Sequence, residues 1–307
     1  MQSSKNKIII AAGTGFIGQA MINHFKEYEI VVLTRNSNFK SQISNLKYVY
    51  WNAKSQGEWF SELEGAKAVI NLTGKSVNCR FNEKNKADIL SSRIDSTKII
   101  GEAIKTCKNP PQVWINASAA GIYPDSFEKQ FTENDAETGN DFMAEVCMAW
   151  EKTLNEIDTP HTRKIATRIT IVLGKSGGVF KTIKPLVKIG LGGKQGNGKQ
   201  FVSWIHEKDL CRAVEFIIEN NNLSGPINFA APNPVRNYDF MKAMRTQFKV
   251  WLGIPQPAWL LSIGAWFMGT EKELVLKSMN VVPKRLTENG FIFKYSTMEQ
   301  ALQDLAN

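Results

Sequence analysis

The residues best suited to chemistry stand near the start of the chain. Ala12-Gly13-Thr14-Gly15-Phe16-Ile17-Gly18 follows the apolar run Lys7–Ala11 and opens a helical pattern. Strand, glycine turn and helix N-terminus in that order bring backbone N–H groups and a positive helix dipole to a dinucleotide pyrophosphate. Gly13, Gly15 and Gly18 stand where the chain must turn tightly or approach the ligand closely, and Thr14, Phe16 and Ile17 complete the loop. The next strand ends Leu33-Thr34-Arg35-Asn36. NAD-binding chains place Asp or Glu there to hold the ribose 2′-hydroxyl. No carboxylate is present, and the Arg35 guanidinium suits a 2′-phosphate through paired, charge-assisted hydrogen bonds. The expected cofactor is NADP(H). A metal site is not expected, because four cysteines stand far apart at 79, 107, 147 and 211 and the chain has three histidines.

Those residues need elements to hold them. Lys7–Ala11, Ile30–Leu33, Tyr48–Trp51, Ala68–Leu72, Val113–Ala117 and Ile165–Val172 read as strands. Phe16–Phe25, Glu83–Thr106 and Phe142–Ile157 read as helices between them. Such alternation implies a parallel sheet covered on both faces. The expected fold class is α/β, a Rossmann-type doubly wound parallel sheet over residues 1–174, with 207–222 packing back on it. Past Gly174 the texture changes to a Gly-rich loop (Gly190–Gly198), a helix (Leu210–Asn220), a Pro-rich turn (Ala231–Pro234) and a helix (Tyr238–Phe248). Residues 175–307 are expected to form a smaller α+β, substrate-binding region.

Composition bounds the function. At 43% hydrophobic the chain can bury a core without disulfide staples. The cysteines read as free thiols of a reducing compartment, so the expected location is cytoplasmic. Lys and Arg number 38 against 29 Asp and Glu. Nine of the bases lie between Thr159 and His206, where no acid occurs: Arg163, Lys164, Arg168, Lys175, Lys181, Lys184, Lys188, Lys194 and Lys199. The whole charge excess is therefore local. Such a field would concentrate a small anionic substrate, although Lys181, Lys184 and Lys188 could also share one solvated helix face. Few aromatics are interleaved and no recognition motif appears, so nucleic acid is not an expected partner. Val250–Thr270 carries no charge over about the length of a membrane span. Gly253, Pro255, Pro257 and Gly264 interrupt it, and a turn followed by a buried or partner-facing helix fits better than a span. A homodimer is compatible with that reading.

With GTGFIG at the first turn, VINLTGKSV at the fourth strand and ASAAGIY at the fifth, the chain resembles the extended short-chain dehydrogenase/reductase superfamily. SSRIDST (91–97), DFMAEVCMAWE (141–151), TRITIVLGKSGG (167–178), GLGGKQGNGKQFVSWIHEKDL (190–210), LSGPINFAAPNPV (223–235) and VVPKRLTENGF (281–291) narrow this. They resemble the epimerase-like family of atypical members, often labelled nucleoside-diphosphate-sugar epimerase or cell-division-inhibitor-like, with a characteristic C-terminal domain. The resemblance covers nearly the whole chain. It implies a six- or seven-stranded Rossmann sheet and a small C-terminal substrate domain. It also implies NADP(H) contacts from Thr34 and Arg35, from Leu72 and Thr73 beside Asn71 and Gly74, from Arg93 and from Val172. One departure is Ala12, where the superfamily begins its glycine loop with Gly; the extra methyl crowds the turn.

A second departure touches catalysis. The superfamily's usual chemistry uses a Tyr phenolate as acid/base, a Lys four residues later to lower its pKa, and a Ser to orient the substrate oxygen. Ser118 matches the Ser. Met143 stands where the Tyr is expected and Cys147 where the Lys is expected, and neither can replace them. Cys147 reads as a buried thiol, with a nucleophile as the less favoured alternative. Tyr50…Lys54 and Tyr238…Lys242 have the right spacing in the wrong places. Tyr123, five residues after Ser118, is the better stand-in, with packing or substrate lining as its alternative. The leading expectation is an NADP(H)-dependent oxidoreductase or epimerase-like enzyme on a small anionic substrate, with Ser118 and Tyr123 polarising a carbonyl. The rival is an NADP(H)-binding sensor without turnover. Arg35→Asp should flatten or reverse a preference for NADPH over NADH, because it sets a negative charge against the 2′-phosphate. Calorimetry with both nucleotides checks this; equal affinities in the wild type would remove the assignment.

Overall fold

The computed structural model describes residues 6–36, 39, 43–268, 271 and 273–307. The strands in chain order are β1 (Lys7–Ala11), β2 (Glu29–Thr34), β3 (Leu46–Tyr50), β4 (Ala68–Asn71), β5 (Val113–Ala119), β6 (Arg163–Ile169), β7 (Ile171–Leu173), β8 (Phe201–Val202), β9 (Trp204–His206), β10 (Gly225–Phe229) and β11 (Val235–Arg236). The helices are α1 (Phe16–His24), α2 (Glu83–Thr106), α3 (Phe142–Glu156), α4 (Gly178–Lys188), α5 (Glu207–Glu219), α6 (Asn237–Gln247), α7 (Ala258–Met268), α8 (Glu273–Leu276), α9 (Lys284–Glu288) and α10 (Met298–Ala306).

Alternation along β1 builds the two layers. Ile8 and Ile10 face one core, closed by Met21 and Phe25 beside α1 and by Leu210, Val214 and Ile217 of α5. Ile9 and Ala11 face the other, closed by Ile100, Ala103 and Ile104 of α2 and by Leu154 of α3. A strand buried on both faces must be apolar where it is buried, and residues 8–11 of KIIIA are, with Lys7 half-buried at the open end. The result is a seven-stranded sheet in the order β10-β6-β5-β4-β1-β2-β3, with every pairing parallel. This is the Rossmann arrangement.

The apolar run read as one strand, Ile165–Val172, is two. β6 ends at Ile169, and β7 pairs with β9 in a separate sheet. Between them Thr170 gives both its N–H (3.1 Å) and its hydroxyl (2.7 Å) to the Phe229 carbonyl. Hydrophobic periodicity runs through the break and cannot register a change of sheet. The chain past Gly174 returns to the first core several times, with Ile205 of β9, with α5, with β10, and with Leu286 of α9 and Phe291 after it. Its own lobe has a separate core of Phe180, Ile183 and Val187 from α4, Met241 and Met244 from α6, and Leu302 and Leu305 from α10.

Two devices lock the lobes together. Residues 278–282 lace the second lobe to the loop after β5: Ser278 O accepts the Ser126 N–H and the Ser278 N–H donates to Asp125 Oδ1, while Phe131 donates its N–H to Asn280 O at 2.7 Å and accepts the Val282 N–H at 2.9 Å. At the other side Asp209 of α5, fully buried, accepts the Lys294 and Tyr295 N–H groups at 3.0 and 2.8 Å and the Arg212 guanidinium.

His206 stacks on Tyr295 with ring centroids 3.9 Å apart and caps α5, its Nδ1 accepting the Lys208 N–H at 3.1 Å. Burial holds its pKa down to about 4, against the pull of Asp304. The unfolded chain therefore takes up this proton first as pH falls. The stabilising contribution of neutral His206 is complete above the unfolded value near 6.5 and disappears as pH drops toward about 4. The loss amounts to about 3 kcal/mol at most, on a scale of roughly 1.4 kcal/mol per pKa unit. Urea unfolding at pH 7 and pH 4.5 measures it. His206→Asn retains a capping acceptor and should show a shallower loss; identical losses would exclude His206 as the titrating group.

Candidate functional site

The glycine turn divides its labour. A Cβ on Gly13 would stand 2.9 Å from the Ile10 side chain, and one on Gly18 would overlap the Gly13 backbone. These two let α1 close onto β1. Gly15 is different: nothing lies within 4 Å of its position, and it is exposed. α1 begins at Gly15 with no side-chain cap and no acid in its first turn, leaving N–H groups for an anion. Ala12 adopts φ +59°, a left-handed conformation that costs a non-glycine residue about 1 kcal/mol. Its N–H bonds to Leu33 O at 2.9 Å. The strain thus falls on the backbone at the very departure noted in the sequence. The Phe16 ring packs into the Gly174–Gly178 turn, where Cβ atoms on Gly174 or Gly177 would overlap it, and Ile17 packs into the first core.

Beside this turn, at the C-terminal edge of the sheet, lies a cleft of about 680 Å³. Thr14, Thr34, Arg35, Thr73 and Gly74 meet along it. Asn71 and Leu72 stand behind them. Asn71 is fully buried, donating to Asn116 Oδ1 at 2.8 Å and accepting the Thr73 N–H at 3.1 Å, so its role is to shape the turn. Val172, on β7, packs against the first core rather than lining this cleft. Two residues escaped the sequence reading. Lys54 and Asn52 line the rim; Asn52 Oδ1 accepts the N–H groups of Lys54 and Ser55 at 2.9 Å, and Ala53 between them is left-handed at φ +62°. In the sequence Lys54 stands out only as the partner of Tyr50 in a misplaced Tyr-x-x-x-Lys spacing. Its signal is position, since the loop leaving β3 borders the cleft in this strand order.

The cleft has unmet polar demand. Thr73 Oγ1 is buried without a partner. Arg93 sits against Gly74, whose Cβ would come within 3.0 Å of the guanidinium carbon. It donates to the Ile89 and Lys75 carbonyls at 2.8 and 3.2 Å and lies over Trp150 at 5.0 Å. Among the described residues no carboxylate pairs with it, and burial draws its pKa down. An unpaired half-buried cation, an orphan hydroxyl and an open Gly15 suit a phosphate-bearing dinucleotide.

The expected catalytic pair is otherwise engaged. Ser118 is buried, and its hydroxyl donates to Glu151 Oε1 at 2.7 Å. Arg168 clamps Glu151 with two bonds, Nε at 2.9 Å and Nη2 at 2.8 Å. Its Nη1 donates to the Tyr123 hydroxyl at 2.8 Å. That hydroxyl also lies 2.9 Å from both Asn228 Oδ1 and Thr132 O, and its single proton goes to one of them. Tyr123 is 2% exposed and stacks on Phe131, and burial raises its pKa, with Arg168 opposing. In this structure the hydroxyls of Ser118 and Tyr123, expected to polarise a carbonyl, are both hydrogen-bonded within the protein. Glu151 and Asn228 were missed because burial and pairing leave no mark in spacing. Met143 and Cys147 lie on α3, and burial pushes the Cys147 thiol up to about 11, which keeps it protonated. Lys277 arrives from the second lobe, its ammonium on Gly121 O at 2.9 Å and Asp141 Oδ2 at 2.6 Å.

The basic stretch also divides. Arg163 donates to the Leu223 and Ile217 carbonyls, Lys164 caps the C-terminal end of α3, and Arg168 belongs to the network. Lys194 and Lys199 line a second cleft of about 680 Å³ with Arg236, Arg245 and Tyr238, opposed by Glu128 and Asp239.

Tyr123→Phe should lower stability by about 1–3 kcal/mol, because it leaves a buried Arg168 donor and one acceptor without partners. Denaturant unfolding reads the loss, and dinucleotide affinity should stay unchanged. An unaltered unfolding midpoint would show that the network does not bear on stability.

Comparison with known proteins agrees with this architecture. A family model described as the NAD dependent epimerase/dehydratase family matches residues 8–230, and a domain of unknown function, DUF1731, matches residues 256–305. The epimerase family protein YfhF of Bacillus subtilis is 36% identical over 302 residues, covering 97% of each chain. The epimerase family protein SH2119 of Staphylococcus haemolyticus is 34% identical, covering 97% of this chain and 98% of its own. Among solved structures, the human epimerase family protein SDR39U1 (isoform 2) with NADPH superposes with a TM-score of 0.87 at 25% identity, over 98% of this chain and 99% of its own. A nucleoside-diphosphate sugar epimerase from Corynebacterium glutamicum gives 0.78 at 28% identity, over 98% of this chain and 58% of its own. With its sheet, its glycine turn and most of its length accounted for in this way, the chain belongs to the NAD-dependent epimerase/dehydratase family.

Proposed function

We propose that the protein binds NADP(H) and acts as an oxidoreductase or epimerase-like enzyme on a small anionic substrate. The observation that carries this reading is the cleft rim, where Arg35 and Lys54 follow β2 and β3; of the two carboxylates lining the same cleft, Asp88 is paired with Lys75 at 2.7 Å and Asp95 stands on α2. Two cations there favour a 2′-phosphate over a bare ribose hydroxyl. The solved relative holding NADPH supports the same cofactor. Gly15 and the start of α1 would seat the pyrophosphate, and Thr73 Oγ1 and Arg93 would meet the groups beyond it. The nicotinamide, when bound, supplies or accepts hydride. The chain's own residues bind and orient the dinucleotide, while the Ser118–Glu151–Arg168–Tyr123 network holds the floor rigid.

The closed network favours a second reading, an NADP(H)-binding sensor. General acid–base assistance is worth about 10²–10⁴-fold, and the usual donors are absent or engaged. NADPH oxidation by the purified protein across a carbonyl library separates the two. Turnover with any member supports the enzyme; tight binding without turnover supports the sensor.

The second cleft supports an anionic substrate, because Lys194 and Lys199 face it with no carboxylate paired to either among the described residues. Lys194→Glu with Lys199→Glu should weaken binding of phosphate-bearing ligands about 10-fold or more, with the fold intact, and added salt should mimic the loss. Titration calorimetry with pyrophosphate is the check. Indifference to both changes would turn the substrate assignment toward a neutral carbonyl compound.

A further inference from the structure

Positive charge and apolar exposure coincide on one face of the second lobe. The chain has no Asp or Glu from Phe240 to Thr270, as it has none from Thr159 to His206. The fold lays these two stretches side by side. Ile254 N–H donates to Gly190 O at 2.9 Å and Gln256 N–H to Lys194 O at 2.8 Å, and a Cβ on Gly190 would meet Leu252 at 3.0 Å. Lys184 and Lys188 of α4 both reach over the Phe248 ring, at 5.3 and 5.7 Å.

The face this creates is unusual for a surface in water. Trp251 is 91% exposed, Ile189 69% and Trp259 65%, with Leu252, Ile254 and Ile263 also open. Single exposed apolar residues need no explanation, but a contiguous set does. α7, AWLLSIGAWFM, has no charged residue, and Trp259, Leu260 and Ile263 in its first half are open. Lys184, Lys188 and Lys249 border the set.

We propose that this face docks on the surface of an anionic lipid bilayer, with Trp251 and Trp259 at headgroup depth and the bordering lysines on lipid phosphates. Indole rings suit that depth, being apolar with one polar edge. Lysine stems extend along apolar surface and carry their charge to the phosphates. α7 has 11 residues, about 16 Å of helix, and no described helix is long and apolar enough to cross a membrane. It lies in the interface. A second copy is the weaker occupant. A twofold contact would set these lysines against their own counterparts, with no carboxylate in either acid-free stretch to pair with them. Lipid phosphate supplies the missing counter-charge.

Sedimentation of the full chain with vesicles of phosphatidylcholine alone, and with phosphatidylglycerol added, tests the proposal. The anionic vesicles should bind at least ~10-fold more tightly, with a blue-shifted tryptophan emission and weakening at high salt. Trp251→Ser with Trp259→Ser, and separately Lys188→Glu with Lys249→Glu, should each reduce that binding about 10-fold. NADPH affinity and the melting temperature should not move in either variant, which keeps lost binding distinct from lost folding. Equal or absent binding to both vesicle types overturns the proposal, as does anionic binding that survives both variants. Self-association that depends on Trp251 and Trp259 without vesicle binding also overturns it, and makes a second copy the occupant.

Discussion

The buried pair of Arg168 and Glu151 is the contact on which the centre of the molecule depends. Their side chains are 11% and 10% exposed, and two hydrogen bonds join them. Removing one partner of such a pair leaves an uncompensated charge and typically costs 3–5 kcal/mol. Four elements are tied through it. Arg168 comes from β6, Glu151 from α3, Ser118 from β5, and Tyr123 carries the chain of bonds to Asn228 on β10. The orientation of α3 against the sheet and the path of the loop after β5 both follow. A guanidinium and a carboxylate that satisfy each other also engage the hydroxyls of Ser118 and Tyr123. As these side chains are arranged, the network acts as a structural support between the sheet, α3 and the loop after β5.

Much of this was legible in the residues. The glycine turn, its flanking strand and helix, and Arg35 were all local features, and local features survive in sequence. α2 matched its expected span because Asn82 caps it, accepting the Asn85 N–H at 2.8 Å, and because its apolar positions keep helical spacing. What sequence could not carry was partnership. Nothing in DFMAEVCMAWE says that Glu151 will meet Arg168, and nothing in the spacing of Ser118 and Tyr123 says that their hydroxyls are already taken. The split of Ile165–Val172 into two sheets was invisible for a related reason: Thr170 ends the strand through a carbonyl on β10, far along the chain. The nine bases read as one field, and the fold separates them: Arg163 and Lys164 bind carbonyls, Arg168 joins the network, Lys194 and Lys199 line the second cleft, and Lys184 and Lys188 lie over Phe248.

The second lobe is less independent than its separate core implies. Asp209 binds the backbone of residues 294 and 295, and residues 278–282 lace across the loop after β5. Both attachments are hydrogen-bonded main chain on buried or half-buried polar groups, which rigid-body motion would have to break one by one. Dinucleotide entry is therefore better served by the open Arg35–Lys54 rim than by parting the lobes.

The position of β10 at the sheet's edge has a consequence for synthesis and truncation. β6 pairs with β5 on one side and with Gly225–Phe229 on the other. Until that late segment emerges, β6 is an uncapped edge whose middle, Ile165 and Ala166, is apolar and meant for the interior. An unpaired apolar edge is a template for strands of other chains. A product that stops after α5 keeps the whole glycine turn and the Arg35–Lys54 rim, yet it is the species prone to aggregate. The boundary that a cofactor motif draws on the sequence is not the boundary at which this sheet becomes closed.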